Sequence, residues 1–236
     1  MILLNLDAGE DPSEPDSLWA TADLLCVACG GHAGDKRSMT RVVTYCAERR
    51  RPRLGAHPSY PDREGFGRRS MAAEMSSVAL ARALSSQLRE LSAVAALHGT
   101  IVGWVKPHGA LYHDTSSPDL AAIVVDTAIT VLGPSVQIIG PPHGALREVS
   151  AARGLVYLCE GFADRATRPD GSLVPRSEPG ALITDPAAAA ARARELVARG
   201  DVDTICVHGD SPGSLAIASA VRDALDDLQD PRRAPA

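Results

Sequence analysis

The sequence predicts a seven-stranded parallel (β/α) barrel, and three observations lead there. Short apolar runs alternate with amphipathic segments along the 236 residues, the pattern of parallel strands joined by helical crossovers. Nearly every apolar run leads into titratable or amide side chains. Polar contributions from so many strand ends suit a barrel, whose mouth gathers the C-terminal ends of all its strands. An open sheet would concentrate them in one crevice between two strands.

The elements follow in order. The first run, Ile2–Leu6, leads through Asn5 and Asp7 to Glu10. The second, Leu24–Ala28, enters the glycine-rich loop Cys29-Gly30-Gly31-His32-Ala33-Gly34-Asp35, whose glycines permit close backbone approach to a ligand. Met39, Val42, Val43 and Cys46 then take helical i, i+3, i+4, i+7 spacing, and Arg49-Arg50-Arg51 marks the solvated end of that helix. The third run, Leu54–Ala56, meets His57 directly, before a Pro- and Gly-rich loop long enough to cover a substrate. Leu84, Leu88, Leu91 and Ala95 repeat the helical spacing, with His98 as a helix-end residue.

The fourth run, Ile101–Val105, leads to Lys106 and His108, which start on one face of an extended segment. A lysine at a barrel mouth is costly to bury alone, so Lys106 calls for an anionic ligand or a carboxylate neighbour. The fifth run, Val136–Ile139, precedes His143, and the sixth, Leu155–Cys159, precedes Glu160, Asp164 and Arg165. A helix over 186–199 has Asp185 as its N-cap and Pro186 at its first position. The last run, Thr204–Val207, ends in His208 and Asp210, ahead of a helix patterned by Ala218, Val221, Leu225 and Leu228. Residues 1–229 are expected to form one barrel domain, and the Pro-, Arg- and Ala-rich residues 230–236 a disordered tail.

Composition narrows the function. A net charge of −5 and a pI near 5.8 argue against a nucleic-acid surface. No apolar stretch nears the roughly 20 residues of a membrane helix, and no basic leader opens the chain. Five cysteines, an odd number, point to reduced thiols in the cytoplasm. Cys26 and Cys29 have no second pair to complete a zinc site. The chain lacks a phosphate-binding loop, a G-x-S-x-G elbow and an H-E-x-x-H pair.

For each polar strand end a plainer reading stands beside the chemical one. Asp7 is a metal ligand or acid/base, or a loop carboxylate capping a turn. Arg165 or Arg176 holds a substrate carboxylate, although for Arg176 alone a surface salt bridge is preferred. His113 and His143 are assigned no role.

Together the segments resemble the LamB/YcsF family, that of the 5-oxoprolinase A subunit. Leu3-Leu4-Asn5-Leu6-Asp7-Ala8-Gly9-Glu10 is similar to its opening strand, and Cys26 to Asp35 to its glycine-rich loop. G-A-H-P-S-Y-P-D-x-x-G-F-G-R-R stands complete at 55–69 and K-P-H-G-A-L-Y at 106–112. Matches at 160–165, 170–176 and 208–213 follow in order, so the resemblance covers nearly the whole chain. Leu6, Gly31 and Lys36 depart from the family pattern without removing an acid, base or cation, and Asp11–Asp16 looks altered at the mouth.

The resemblance implies the barrel shared with glycoside hydrolases and deacetylases. It implies cleavage of 5-oxoproline to L-glutamate driven by ATP, in a complex with 5-oxoprolinase subunits B and C. ATP would be bound mainly by those partners, in keeping with the missing phosphate loop. Asp7, His57, Lys106 and His208 are the expected catalytic residues, with Asp7 and His57 or His208 activating water and Lys106 steadying phosphoryl or oxyanion charge. Asn5, His108, Asp164 and Arg165 are expected to bind the lactam substrate, Arg165 through its carboxylate. Fold analogy to barrel deacetylases adds a divalent metal on Asp7, His32 and His57. The rivals are a stand-alone metal-dependent deacetylase-like hydrolase and a non-catalytic ligand-binding subunit. Self-association is compatible with the sequence.

Overall fold

The structure, a computed structural model, describes residues 1–49, 51–168, 172–176, 178–211 and 213–229. The expected tail at 230–236, Arg50 of the arginine run, and Asp170, Gly171 and Pro212 of the motifs lie outside the described residues.

Seven parallel strands close into a barrel in sequence order: β1 (Leu3–Ala8), β2 (Leu24–Ala28), β3 (Arg53–His57), β4 (Trp104–Val105), β5 (Gln137–Gly140), β6 (Tyr157–Phe162) and β7 (Thr204–Val207). The seam joins β1 to β7 with Leu3 opposite Thr204 and Asn5 opposite Cys206. The helices are α1 (Asp16–Trp19), α2 (Lys36–Arg49), α3 (Ser77–Leu97), α4 (Gly109–Asp114), α5 (Pro118–Leu132), α6 (Ala145–Ala152), α7 (Pro186–Arg199) and α8 (Ser214–Gln229).

Period-two alternation divides the strands into two layers. Leu4, Leu6 and Ala8 of β1, Leu25 and Val27 of β2, and Ile205 and Val207 of β7 join a cluster with helical residues such as Met39, Val42, Leu84, Leu88 and Val221. The alternate positions Leu3, Leu24, Cys26, Trp104, Ile139 and Leu158 form a second cluster, the apolar floor inside the barrel. Gly55 makes room there, since a Cβ on it would lie 3.2 Å from Trp104 Cβ. One step further along the inward faces come Asn5 and Asp7, His57, Lys106, Glu160 and Cys206, all buried. The polar layer thus rests on an apolar plug.

The helices follow the expected stripes. Met39, Val42, Val43 and Cys46 are buried on α2, and Leu84, Leu88, Leu91 and Ala95 on α3. Asp185 Oδ1 accepts from the Ala188 amide at 2.7 Å as N-cap of α7, and Gly200 ends that helix in the left-handed region at φ 73°. Leu228 departs from its stripe and is 46% exposed.

β3 and β5 differ from expectation by one residue at each end, and three strands differ by more. β4 is two residues long, because Ile101 stays 81% exposed outside the ladder. β6 begins two residues later than expected and runs to Phe162, and β1 runs to Ala8, so Glu160 and Asp7 lie within strands rather than beyond them. No helix among the described residues is long and apolar enough to cross a membrane. All five cysteines are buried and free.

Candidate active site

A pocket of about 500 Å³ opens at the C-terminal end of the barrel, lined by Asp7, His57, Lys106, His108, Glu160 and His208 among others. Lys106 is its deepest charge. Its Nζ lies 2.5 Å from Asp7 Oδ1 and 3.2 Å from Glu160 Oε1, and donates to Asn5 Oδ1 at 3.0 Å and Cys206 Sγ at 3.3 Å. Burial works against the ammonium, yet Asp7, Cys206 and Glu160 outweigh it and push its pKa well above the usual lysine value. Burial likewise opposes the Asp7 carboxylate, and His57 and Lys106 overcome it, holding Asp7 well below the ordinary range. The pair is charged at neutral pH.

Beside it, four side chains converge. Glu10 Oε1 is 2.9 Å from His32 Nε2, 3.4 Å from His108 Nδ1 and 3.9 Å from His57 Nε2. Gly9, at φ 74°, turns the chain so that Glu10 meets this cluster. Gly67, at φ 65°, lets the covering loop press onto it, since a Cβ there would stand 2.8 Å from His32 Cβ. His57 Nδ1 lies 2.8 Å from the Lys106 carbonyl and His108 Nε2 2.9 Å from the Phe66 carbonyl. A carbonyl only accepts, so each of those nitrogens carries its ring's proton. With both rings neutral, His57 Nε2 and His108 Nδ1 would face each other as bare lone pairs at 2.9 Å. Either a shared proton or a cation must relieve that repulsion. Burial, then the charges of His32 and His57, hold the His108 pKa well below the usual histidine value, which disfavours the proton.

This arrangement tests whether a divalent ion fits. Glu10, His32, His57 and His108 each offer one ligand atom, all within 4.8 Å of one another. Three imidazole nitrogens and a carboxylate oxygen suit a zinc-like ion, and the carbonyls on the outer ring nitrogens are the usual support for such ligands. The fit is good. Of the expected trio, His32 and His57 belong to this set, and Asp7 stands beside it, Oδ2 3.3 Å from His57 Nε2 and Oδ1 against the Lys106 ammonium.

Across the pocket, His208 Nδ1 lies 3.0 Å from both oxygens of Asp164, whose Oδ2 also accepts from the His208 amide at 2.9 Å. The imidazole ring stacks on Phe162. Nδ1 donates to the Asp164 carboxylate, which turns Nε2 toward the pocket, 4.0 Å from Asp7 Oδ2. Burial raises the Asp164 carboxyl and His208 more than offsets it, so the net direction is down.

Arg165 is buried in the wall and donates to the Val174 carbonyl at 2.6 Å, while its Nε has no hydrogen-bond partner. Burial, then the neighbouring Arg176 charge, lowers its pKa, as expected for a cation short of counter-charge. Arg176 pairs with Asp210 through two contacts of 2.8 and 3.1 Å, and Arg68 joins at 2.6 Å. The Arg176 pair expected at the surface is thus part of the pocket wall.

Asp7, His57, Lys106, His208, His108 and Arg165 all reach the pocket. Asn5 and Asp164, expected to bind substrate, do not line it. Asn5 is fully buried, its amide spent on Thr204 Oγ1 and Lys106, and Asp164 is spent on His208. His143 is exposed and takes no part, so the fifth strand contributes nothing to the lining, whereas His113 does line it. Glu10, Arg68 and Tyr112 were missed as site residues. For Glu10 the signal was present, a carboxylate one glycine turn beyond Asp7.

The chain matches the family model described as LamB/YcsF family over residues 4–231. It is 40% identical over 239 residues to a protein of Mycobacterium avium (strain 104) named as the A subunit of 5-oxoprolinase, with 94% of each chain covered. A Streptomyces coelicolor protein of the same name is 39% identical over 243 residues, with 96% of each covered. Among solved structures, the lactam utilization protein from Thermus thermophilus superposes with a TM-score of 0.86 at 32% identity, covering 96% of each chain.

Proposed function

This chain belongs to the LamB/YcsF family, and from that membership and its pocket we propose that it opens the ring of 5-oxoproline as one component of an ATP-consuming 5-oxoprolinase. The observation that carries the reading is the convergence of an oriented base, His208, a charged Lys106 and an undercompensated Arg165 on one pocket.

A five-membered lactam is a resonance-stabilised amide with a poor leaving group. Phosphorylation of its carbonyl oxygen by ATP makes the ring carbon open to attack. Arg165 takes the ring carboxylate, and the Lys106 ammonium steadies charge on the phosphorylated oxygen. His208 Nε2 removes a proton from the attacking water, with Asp164 fixing the tautomer and stabilising the imidazolium. The ring C–N bond breaks as its nitrogen gains a proton, and release of phosphate by water leaves glutamate. Asp7 and Asn5 act through Lys106 by holding it charged and in place. A divalent ion held by Glu10, His32, His57 and His108 would supply Lewis acidity to a water or oxygen beside them.

ATP would be held by partner subunits, in keeping with the absence of a phosphate-binding loop here and with relatives named as one subunit of several. Consumption of ATP suits a cytoplasmic location. The metal-competent cluster favours one other reading, an ATP-independent amide hydrolase acting alone. Glutamate release from 5-oxoproline, followed with and without ATP and the two partner subunits, decides between them. The proposal expects glutamate only when all are present, and turnover by the chain alone without ATP would overturn it.

A further inference from the structure

Two buried polar atoms in the pocket remain unused by the steps above. Glu160 Oε1 faces Lys106, but Oε2 makes no hydrogen bond to any group of the chain. The Tyr112 hydroxyl is buried and has no partner at normal hydrogen-bond distance, though it stands near enough to Glu160 for that carboxylate, through its charge and a loose hydrogen bond, to add to the effect of burial in raising its pKa. Both residues line the pocket. The two sit on different elements, Glu160 on β6 and Tyr112 on α4, which follows β4 two strands away in the barrel. A buried polar group without a partner is costly, and a pair at a ligand pocket is most economically explained by the ligand.

As the partner of an ammonium, Glu160 is a carboxylate and can only accept, whereas the tyrosine O–H can donate. An acceptor and a donor side by side match one chemical edge, an N–H next to a C=O on the same side of the molecule. Open-chain secondary amides are trans and present the two groups on opposite edges. A five-membered lactam holds its amide cis and presents both together. We propose that Glu160 Oε2 and the Tyr112 hydroxyl form a reader of the cis-amide edge, taking the ring N–H and the ring carbonyl respectively, and so select lactams over acyclic amides.

The inference rests on the lactam reading above and adds the residues that would enforce it. Calorimetric titration of the full-length chain, alone and with its partner subunits, tests it with three probes. These are 5-oxoproline, the matching lactone 5-oxotetrahydrofuran-2-carboxylate, and N-acetylglycine. The lactone keeps shape, carboxylate and carbonyl but turns an ether-type oxygen toward Glu160. The expected result is lactone binding weaker than 5-oxoproline by on the order of 10- to 100-fold, with N-acetylglycine weaker still. Tyr112→Phe, which removes only the hydroxyl, should fold normally and weaken 5-oxoproline by roughly tenfold. Glu160→Gln should narrow the gap between lactam and lactone. Equal binding of lactam and lactone, or an unchanged affinity in Tyr112→Phe, overturns the inference while leaving the lactam reading standing. Failure of 5-oxoproline to bind in either setting removes both.

Discussion

Burial holds His32 and His108 neutral in the fold, with the charge of His57 adding to the effect on each and that of His32 on His108. Their folded pKa values lie below the ordinary 6.5, so below that pH the unfolded chain binds more protons than the native one at these positions. Glu10 works the other way. Burial and Asp7 raise its pKa above 4.5, so the native state retains a proton there that the unfolded state has lost. The histidines outnumber the carboxylate, so in chelator stability should fall as pH drops below about 6.5. Urea unfolding at several pH values checks this, and His108→Gln, which removes one of the two, should flatten the slope. The Asp7–Lys106 pair adds a separate loss only at lower pH, where Asp7 itself takes a proton. At this scale the sequence was only partly legible. It showed which polar residues end the strands, but not that Asn5 and Asp164 are bonded to Lys106 and His208, because that depends on contacts with distant strands.

The segment after β1 shows how an element reaches the mouth without regular structure. The Glu14 carboxylate accepts from the amides of Gly9, Glu10 and Asp11 and from the Trp19 indole at 2.8 to 3.0 Å, all while buried. That clamp fixes the turn presenting Glu10, so the unusual Asp11–Asp16 stretch forms a defined loop. Glu14→Ala strands three amides and an indole N–H, and should cost about 3 kcal/mol in urea unfolding, with Glu14→Gln retaining part of it. Gly31, a departure from the family pattern, has a similar local cause. A Cβ there would stand 2.5 Å from Gln87 Oε1, which binds the Ser59 amide at 3.0 Å. Strands with unbroken apolar runs, such as β2 and β7, were legible to the residue. β4 was not, because Gly103 and the exposed Ile101 share the composition of a strand without its burial.

Barrel closure brings Asp7, His57, Lys106, Glu160 and His208 from five strands onto one rim, although they span positions 7 to 208 of the chain. That convergence was legible, because each of these residues stands at the polar end of an apolar run. The approach of Tyr112 to Glu160 was not, since it joins the helix after β4 to a strand two places further round the barrel. The central claim is that this rim opens a lactam with His208 as base. It is tested most directly by the turnover number of His208→Gln, measured as ATP-dependent glutamate formation by the assembled complex at saturating 5-oxoproline. The account predicts a loss of at least about 100-fold with substrate binding retained. A variant that turns over at the wild-type rate would contradict it.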